Sequence, residues 1–203
     1  MRYGWMVAAA ALVLGGAAQA QSLVKDVPPE QIGYLLATIG MVKTEDPRIS
    51  FGFSLCDQEK REIAIVRYVT NQTIARKLDF EDGDFVGAVV SVALPAGTYR
   101  ICKTEMFRLD RHFKPLKPEN LAIPLVIEAG KANYIGRYKL APKFVENFLG
   151  HPQLKDAQWL VANKWTEDGR AFIEQTPHAA TLPPVLAMPA AALMRGTPFR
   201  HAE

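Results

Sequence analysis

Residues 48–57 read RISFGFSLCD, and the alternation within this stretch decides the fold class. Large apolar side chains stand at every second position, namely Ile49, Phe51, Phe53 and Leu55. Small or polar residues stand between them, namely Ser50, Gly52, Ser54 and Cys56. A period of two residues is typical of a β-strand with one buried face. The stretch therefore predicts a sheet that packs against a second layer.

Further strands are predicted on both sides of this stretch, each bounded by turn residues. They cover residues 32–42, 62–69, 85–94, 98–107, 121–130 and 131–140. The Asp46-Pro47 turn signal predicts that 32–42 and 48–57 form a hairpin, and residues 129–131 predict a turn between the last two strands. Pro124 predicts an edge strand or a bulge because proline cannot donate to a sheet ladder.

The character of the chain changes after Leu140. Prolines 142 and 152 can each open a short helix, with Phe144, Val145, Phe148 and Leu149 on one face of the first and Leu154, Ala157, Val161 and Trp165 on one face of the second. We expect both faces to pack on the sheets. The stretch from residue 176 is rich in Pro, Ala and Met without a period, which predicts a disordered tail. The predicted organisation is a β-sandwich domain over 21–141, a short helical extension over 142–175 and a flexible tail over 176–203.

The first 20 residues have the pattern of a cleavable signal peptide. Arg2 supplies a positive charge, residues 6–16 are an apolar core too short for a bilayer, and Ala18-Gln19-Ala20 is a small-x-small cleavage signal. We expect a mature chain that begins at Gln21 and is periplasmic or secreted; an uncleaved anchor is the alternative. Prolines interrupt the apolar stretch 182–194, so no transmembrane segment is expected in the mature chain.

Bulk composition constrains the partners only weakly. About 180 residues remain after cleavage, which suits one domain rather than two. The formal net charge of +3 becomes +2 once Arg2 is removed, and both signs are mixed along the chain. Because export also argues against nucleic acid, we expect no nucleic-acid partner.

Cys56 and Cys102 both lie in the mature part and on polar-facing positions of predicted strands. An exported chain meets an oxidising compartment, so we predict that the two cysteines form a disulfide. In the chain-entropy model such a loop stabilises the fold by up to about 4 kcal/mol. The alternative is a pair of free thiols.

The segment SVALPAGTYRI (91–101), followed by PLVIEAGKANYIGRY (124–138), resembles a family of small secreted β-sandwich domains of proteobacteria. These are the DUF2846-type, transthyretin-like or carboxypeptidase-regulatory-like modules. The resemblance covers about residues 85–140 and implies a transthyretin- or immunoglobulin-like antiparallel sandwich of about seven strands. Gly97 and Gly130 would allow tight turns, with the rings of Tyr99 and Tyr134 toward the core. The resemblance implies no activity and no catalytic residues.

No established motif for catalysis or metal binding is found in the sequence. The four histidines have no ligand spacing, and the acidic run 79–84 departs from a calcium loop, which favours a solvated hairpin turn. Nucleophile elbows, P-loops and C-x-x-C pairs are missing as well. We therefore expect no metal, no cofactor and no enzymatic activity. An envelope hydrolase with a spatially assembled site is the alternative.

One region of the chain is dense in basic residues interleaved with Phe107 and Phe113. Its candidate binding residues are Arg108, Arg111, His112, Lys114 and Lys117. Such a region suits an envelope protein or an anionic envelope component; a solvated loop between strands is the competing interpretation. The sequence thus predicts an exported, non-catalytic accessory, binding or structural protein of the bacterial cell envelope. A strand-exchanging subunit that pairs at the edge near Pro124 is a second rival, and the oligomeric state is left open.

Overall fold

The computed structural model describes residues 24–43, 49–69, 79–108, 119–146, 148–150, 152–176, 179 and 181–202. The predicted signal peptide, residues 1–20, lies outside these ranges. A short 3-10 turn, Pro29–Gln31, precedes the first strand. The described strands are β1 (Ile32–Val42), β2 (Ile49–Cys56), β3 (Glu62–Val69), β4 (Asp79–Asp82), β5 (Phe85–Pro95), β6 (Gly97–Arg108), β7 (Glu119–Ile127), β8 (Ala132–Glu146), β9 (Pro152–Ala162), β10 (Pro184–Leu186) and β11 (Phe199–His201). Two helices are described besides, α1 (Trp165–Gln175) and α2 (Ala191–Met194).

The strands form two sheets that pack face to face, which confirms the predicted all-β sandwich. The large sheet has seven strands in the order β11-β9-β8-β1-β5-β4, with β10 beside β8. The small sheet has four strands in the order β3-β2-β6-β7. Eleven strands are therefore described where about seven were predicted. Strand β7 ends the order of the small sheet, and this confirms the prediction of an edge strand at Pro124.

Successive pairs of strands alternate between the two sheets. The chain crosses from one sheet to the other after β1, β3, β5 and β7. The predicted hairpin of β1 with β2 is wrong, and so is the predicted pairing across residues 129–131. Strand β1 instead pairs antiparallel with β5 and parallel with β8. A turn signal marks a reversal of the chain but carries no information on whether the flanking strands share a sheet.

The main core lies between the sheets, and the prediction that β2 has a single buried face is wrong, because all eight residues of β2 are buried. The predicted apolar positions of β2, from Ile49 to Leu55, are all buried in it. An aromatic group fills its centre: the Phe53 ring lies 4.7 Å from that of Tyr138, and Phe199 lies 5.6 Å from both Tyr138 and Trp159. Rings at these separations in tilted and edge-on arrangements attract one another beyond their area of burial.

The two helices predicted after Leu140 are wrong, because β8 continues to Glu146 and β9 spans Pro152–Ala162. The two strands pair antiparallel from Arg137 opposite Ala162 to Glu146 opposite Pro152. Pro142 lies beyond Leu140, the last residue of β8 that pairs with β1. Its missing N–H therefore interrupts no ladder on that edge. The helical extension is limited to α1, within the predicted 142–175.

The predicted disorder after residue 176 is also wrong for the described residues 181–202. Strand β10 pairs parallel with the start of β8, and β11 pairs parallel with β9. Met194 and Phe199 are buried in the main core. The prolines that suggested disorder stand at the ends of these short elements, where proline removes no required hydrogen bond.

Cys56 and Cys102 lie on the neighbouring strands β2 and β6, with their sulfur atoms at a disulfide distance of 2.06 Å and their Cα atoms 5.8 Å apart. The register between these strands shifts at Ser54 and Leu55. Cys102 is the extra residue of β6 at this bulge, and the bulge lets it approach Cys56, which is opposite Arg100 in the ladder.

Two of the core tyrosines differ in how their hydroxyl groups are satisfied. As predicted, the ring of Tyr99 faces the core; its hydroxyl donates to the carbonyl oxygen of Pro95 at 2.7 Å. The Tyr138 hydroxyl is fully buried and has no hydrogen-bond partner among the described residues. Burial raises the pKa of Tyr138 far above its usual range because the phenolate would be desolvated.

We expect removal of the two hydroxyl groups to affect the free energy of unfolding differently. Tyr99→Phe should lower the free energy of unfolding by about 1 kcal/mol, because the hydrogen bond to Pro95 is lost. Tyr138→Phe should leave it unchanged or raise it by about 1 kcal/mol, because an unpaired hydroxyl no longer has to be desolvated. Urea unfolding of both variants measures this, and an equal loss in the two would contradict the assignment.

Candidate functional site

The predicted basic surface is largely outside the described residues. Arg108 is the last residue of β6, and nothing is described of its side chain. Arg111, His112, Lys114 and Lys117 lie in the undescribed range 109–118. The structure therefore shows where the chain enters and leaves this segment, at Arg108 and Glu119, and leaves its binding role as a prediction.

Two cations near the middle of the small sheet, Lys103 of β6 and Arg67 of β3, are paired with Glu105. Lys103 Nζ lies 2.5 Å from Glu105, and the Arg67 guanidinium lies 2.8 Å from the same carboxylate. The hydrogen bond from Lys103, with the charges of Lys103 and Arg67, holds the pKa of Glu105 below its usual range. Because both cations share the Glu105 carboxylate, we do not regard them as a site for an anionic partner.

Strands β8 and β9 continue past the large sheet as a two-stranded ribbon. We define the ribbon as residues 141–146 and 152–157, which among the described strands pair only with each other. Ala157 near the base of the ribbon and Phe144 further along it both pack against the core. Six residues of strand correspond to about 20 Å of length. The ribbon thus carries its connecting turn well beyond the last residue of β8 that pairs with β1.

The tip of the ribbon exposes large apolar side chains. Phe148 is 93 % exposed, Leu149 is 64 % exposed and Val145 is 38 % exposed. The expected packing of Phe148 and Leu149 on the sheets is therefore wrong, because they lie at a turn rather than on a helix face. A cluster of exposed apolar side chains at one point of a surface is typical of an interaction site.

The ribbon leaves the sandwich at the end where the basic segment begins. Met41, near the end of β1, pairs with Leu140, immediately before the ribbon. The chain then passes from Val42 to Ile49 in the other sheet, and Ile49 is opposite Arg108. The apolar tip and the entry to the basic segment therefore belong to the same end of the molecule.

A buried ionic cluster joins α1 to the outer face of the large sheet. Asp168 of α1 is fully buried, and Arg137 of β8 is 5 % exposed. The Arg137 guanidinium donates to Asp168 Oδ1 from Nη2 at 2.5 Å and from Nε at 3.0 Å. Tyr134, also on β8, donates from its hydroxyl to Asp168 Oδ2 at 2.5 Å. Both carboxylate oxygens of Asp168 are thus satisfied, and the cluster anchors the helix.

Three glycines and the Phe85 ring position the Arg137 side chain on the outer face of the large sheet. Gly136 has a φ of 115° and lies at the irregularity in the pairing of β1 with β8, so a glycine is required there. Gly40 and Gly87 are opposite each other, and a Cβ on either would meet the Phe85 ring at 2.5 Å. The ring of Phe85 lies over this glycine pair, and the Arg137 guanidinium stacks 4.7 Å above the ring centre.

The acidic hairpin turn predicted at residues 79–84 is confirmed between β4 and β5, with Gly83 at a φ of 61°. Asp82 and Asp84 are paired with cations of β8, and Glu81 is paired with Lys43. Arg137 Nη1 lies 2.5 Å from Asp82, and Lys139 Nζ lies 2.6 Å from Asp84. The hydrogen bond from Lys139 holds the pKa of Asp84 below its usual range. Within the described ranges, no three His, Cys, Asp or Glu side chains come together in a set that could hold a metal ion.

A second apolar cluster covers the outer face of the large sheet. Leu36, Val89 and Tyr134 lie on the sheet, and Phe172 packs on them from α1. Tyr134 is therefore buried as predicted, but beneath α1 rather than in the core between the sheets. Burial and then the nearby Asp168 charge raise the pKa of Tyr134, so this hydroxyl keeps its proton.

A small groove opens at the border of this cluster, where β9 leaves the edge of β8 and β10 takes its place. Its volume is about 230 Å³. Tyr134 and Trp165 supply aromatic walls, and β10 supplies Pro184, Val185 and Leu186. The groove has room for one apolar side chain of a partner, which is less than a typical small-molecule site offers.

Sequence reasoning missed both the ribbon and the ionic cluster. The spacing of Phe144, Phe148 and Leu149 fits a helix as well as a hairpin, and the prolines favoured a helix. Arg137 and Asp168 are 31 residues apart, and no local pattern marks their pairing. The one available signal was Asp168 itself, because it lies among the apolar positions of α1.

Among the residues that the structure describes, no helix is long and apolar enough to cross a membrane. Comparison of the chain with protein-family models, with curated proteins and with solved structures gives no match. The resemblance to secreted β-sandwich domains stays a prediction, and any function must be argued from the geometry of this chain.

Removal of the Asp168 carboxylate should be costly. Asp168→Ala removes both hydrogen bonds that the buried Arg137 guanidinium makes to Asp168 and leaves the half-exposed Asp82 to balance its charge, and we expect a loss of about 3 kcal/mol in the free energy of unfolding. The matched control is Glu167→Ala on the adjacent exposed position, whose ion pair with Lys164 at 3.5 Å should contribute less than about 1 kcal/mol. Urea unfolding of the two variants distinguishes them, and equal losses would show that Asp168 does not anchor α1.

Proposed function

We propose that this protein is an exported, non-catalytic binding module of the bacterial cell envelope, and that it contacts its partner with the tip of the β8–β9 ribbon. The observation that carries the proposal is the exposure of Phe148 and Leu149 at the end of a projecting ribbon. Exposed apolar side chains cost little in a folded monomer but gain free energy when a partner covers them.

The size of the tip limits what it can contribute. Full burial of a Phe or Leu side chain yields about 1.5–3 kcal/mol, so the tip alone would give only weak binding after the cost of association is subtracted. A second contact is therefore needed for a stable complex. The basic segment that starts at Arg108 enters at the same end and would supply contacts to an anionic group.

These two features together suit an envelope protein with an apolar pocket beside acidic residues, or an anionic envelope component with an apolar part. The signal-peptide pattern in residues 1–20 supports a location outside the cytoplasm. The pair Cys56 and Cys102, at disulfide distance, supports it further because disulfides persist in oxidising compartments.

The tip is tested with the double variant Phe148→Ser, Leu149→Ser in co-sedimentation of the tagged mature protein with its native envelope fraction. We expect the bound fraction to fall at least about tenfold, the equivalent of one buried apolar side chain or less. The matched control is Val126→Ser, which removes a 56 % exposed side chain from β7 near the opposite end of the sandwich, where Val126 pairs with Thr98.

The basic segment is tested in parallel by the triple variant Arg108→Glu, Arg111→Glu, Lys114→Glu. Loss of binding in both the tip and the charge variants would support one composite surface at this end. Loss in the charge variant alone would leave the basic segment as the binding site and reject the ribbon tip. Unchanged binding in both would overturn the proposal.

A further inference from the structure

A second cavity lies at the opposite edge of the large sheet from β4, between α2 and β11. Its volume is about 160 Å³. Met194 and Phe199, which are 2 % and 1 % exposed, form its apolar floor, while Arg195, Arg200 and His201 line its rim. We propose that this cavity binds a small organic carboxylate, with the apolar part of the ligand on the floor and the carboxylate between the two guanidinium groups.

Arg200 is already held in position by its own backbone. Its Nη1 donates to the carbonyl oxygens of Thr197 and of Phe199, the latter at 2.8 Å. The described hydrogen bonds of Arg200 use only Nη1, so Nε and Nη2 are left to donate to a ligand. A guanidinium that is fixed before binding loses less conformational entropy when it pairs with a carboxylate.

The turn that carries these cations is itself well ordered by hydrogen bonds. The Thr197 hydroxyl donates to the Met194 carbonyl at 2.7 Å, and the amide of Phe199 donates to that hydroxyl at 3.2 Å. Gly196 adopts a φ of 79°, which only a glycine adopts without strain in this tight reversal. The turn thus presents Arg195 and Arg200 from a fixed frame beside the cavity.

The formally charged residues that line the cavity are both arginines, Arg195 and Arg200. The lining residues include two arginines and a histidine, and no lining residue is Asp or Glu. His201 Nε2 lies 3.1 Å from the Pro189 carbonyl oxygen, which can only accept, so Nε2 carries a proton and this contact holds the ring in place. A concave surface lined by cations raises the local concentration of anions.

A carboxylate fits this arrangement better than an inorganic anion. The planar fork of a guanidinium matches the two oxygens of a carboxylate. An alkyl group can lie against the apolar atoms of Ala191, Met194 and Phe199 that line the cavity, whereas a hydrated phosphate cannot. The volume is below that of typical drug-sized sites, so the apolar part must be short. The same chemistry is found in a free branched-chain acid and in the C-terminal residue of a peptide.

This site is separate from the ribbon tip and does not depend on the proposed function. The experiment is titration of the ¹⁵N-labelled mature protein, followed by the amide signals of Gly196 and Thr197, with 4-methylpentanoate as the probe. The neutral 4-methylpentanamide and inorganic phosphate are titrated alongside. A peptide that ends in leucine, with a free or an amidated C-terminus, distinguishes the two sources of the carboxylate.

We expect saturable shifts with 4-methylpentanoate and at least about tenfold weaker binding of the amide and of phosphate. The amide lacks the negative charge, and phosphate lacks the alkyl group. Arg195→Gln and Arg200→Gln should each weaken binding of the acid about fivefold or more. Arg195 makes none of the hydrogen bonds or ion pairs described above, so its variant should fold normally. The control Arg170→Gln removes the same charge at an exposed position of α1 and should leave the binding of the acid unchanged.

The proposal fails if 4-methylpentanoate and its amide shift the same signals equally, or if Arg195→Gln binds the acid as tightly as the parent. Stronger binding of the free-carboxylate peptide than of the free acid would identify a peptide C-terminus as the occupant. Equal or weaker binding of the peptide would identify a small free acid. Neither result depends on whether the ribbon tip binds envelope material.

Discussion

The buried pairing of Arg137 with Asp168 is the interaction on which the outer half of the molecule depends. A guanidinium that is 5 % exposed cannot be tolerated without compensation, since removing a charge from water costs several kcal/mol. Asp168 supplies that compensation from α1, so the helix must lie across the large sheet at one particular place. The position of α1 then allows Phe172 to cover Tyr134, and it shapes the groove beside β10.

The same constraint explains several residues that look unremarkable in the sequence. Gly136 lies at the irregularity in the pairing of β1 with β8, directly before Arg137. The Gly40–Gly87 pair makes room for the Phe85 ring, on which the Arg137 guanidinium stacks. Asp82 brings the β4–β5 turn to the other side of the guanidinium. One charged side chain therefore connects β8, the hairpin of β4 with β5, and α1, which are distant in the chain.

Much of the fold could be predicted, because a period of two residues is a local property. The strands from Ile32 to Leu140 other than β4, and the sandwich class, follow from it, and the shared kind of face of Cys56 and Cys102 indicates that they can meet. Sheet membership could not be predicted, since β1 joins β5 and β8 rather than its neighbour β2. The prolines of residues 142–162 suggest helix starts, and those of residues 181–202 suggest disorder. A sheet nevertheless tolerates a proline at a strand edge where no ladder hydrogen bond is needed.

The candidate sites were harder to predict than the fold. The basic residues from Arg108 to Lys117 stand out as a run of charge, and their role is still a prediction. The ribbon tip and the cation-lined cavity depend on tertiary structure. Phe148 is exposed because β8 and β9 extend past the sheet, and Arg195 and Arg200 line one cavity where β11 pairs with β9. Both features come from the C-terminal third of the chain, where local patterns are weakest.

The most direct test of this account is a double-mutant cycle on the central pair, with Arg137→Met, Asp168→Leu and the combined variant compared by urea unfolding. Arg137→Met leaves Asp168 buried without a counter-charge, and Asp168→Leu leaves buried Arg137 with only part of its charge balanced, by the half-exposed Asp82. The double change leaves apolar groups of similar size. The account predicts that the double variant is more stable than the sum of the single losses implies, by about 2 kcal/mol or more. Losses that simply add would show that the two side chains do not act as a pair, and would contradict the central role assigned to them.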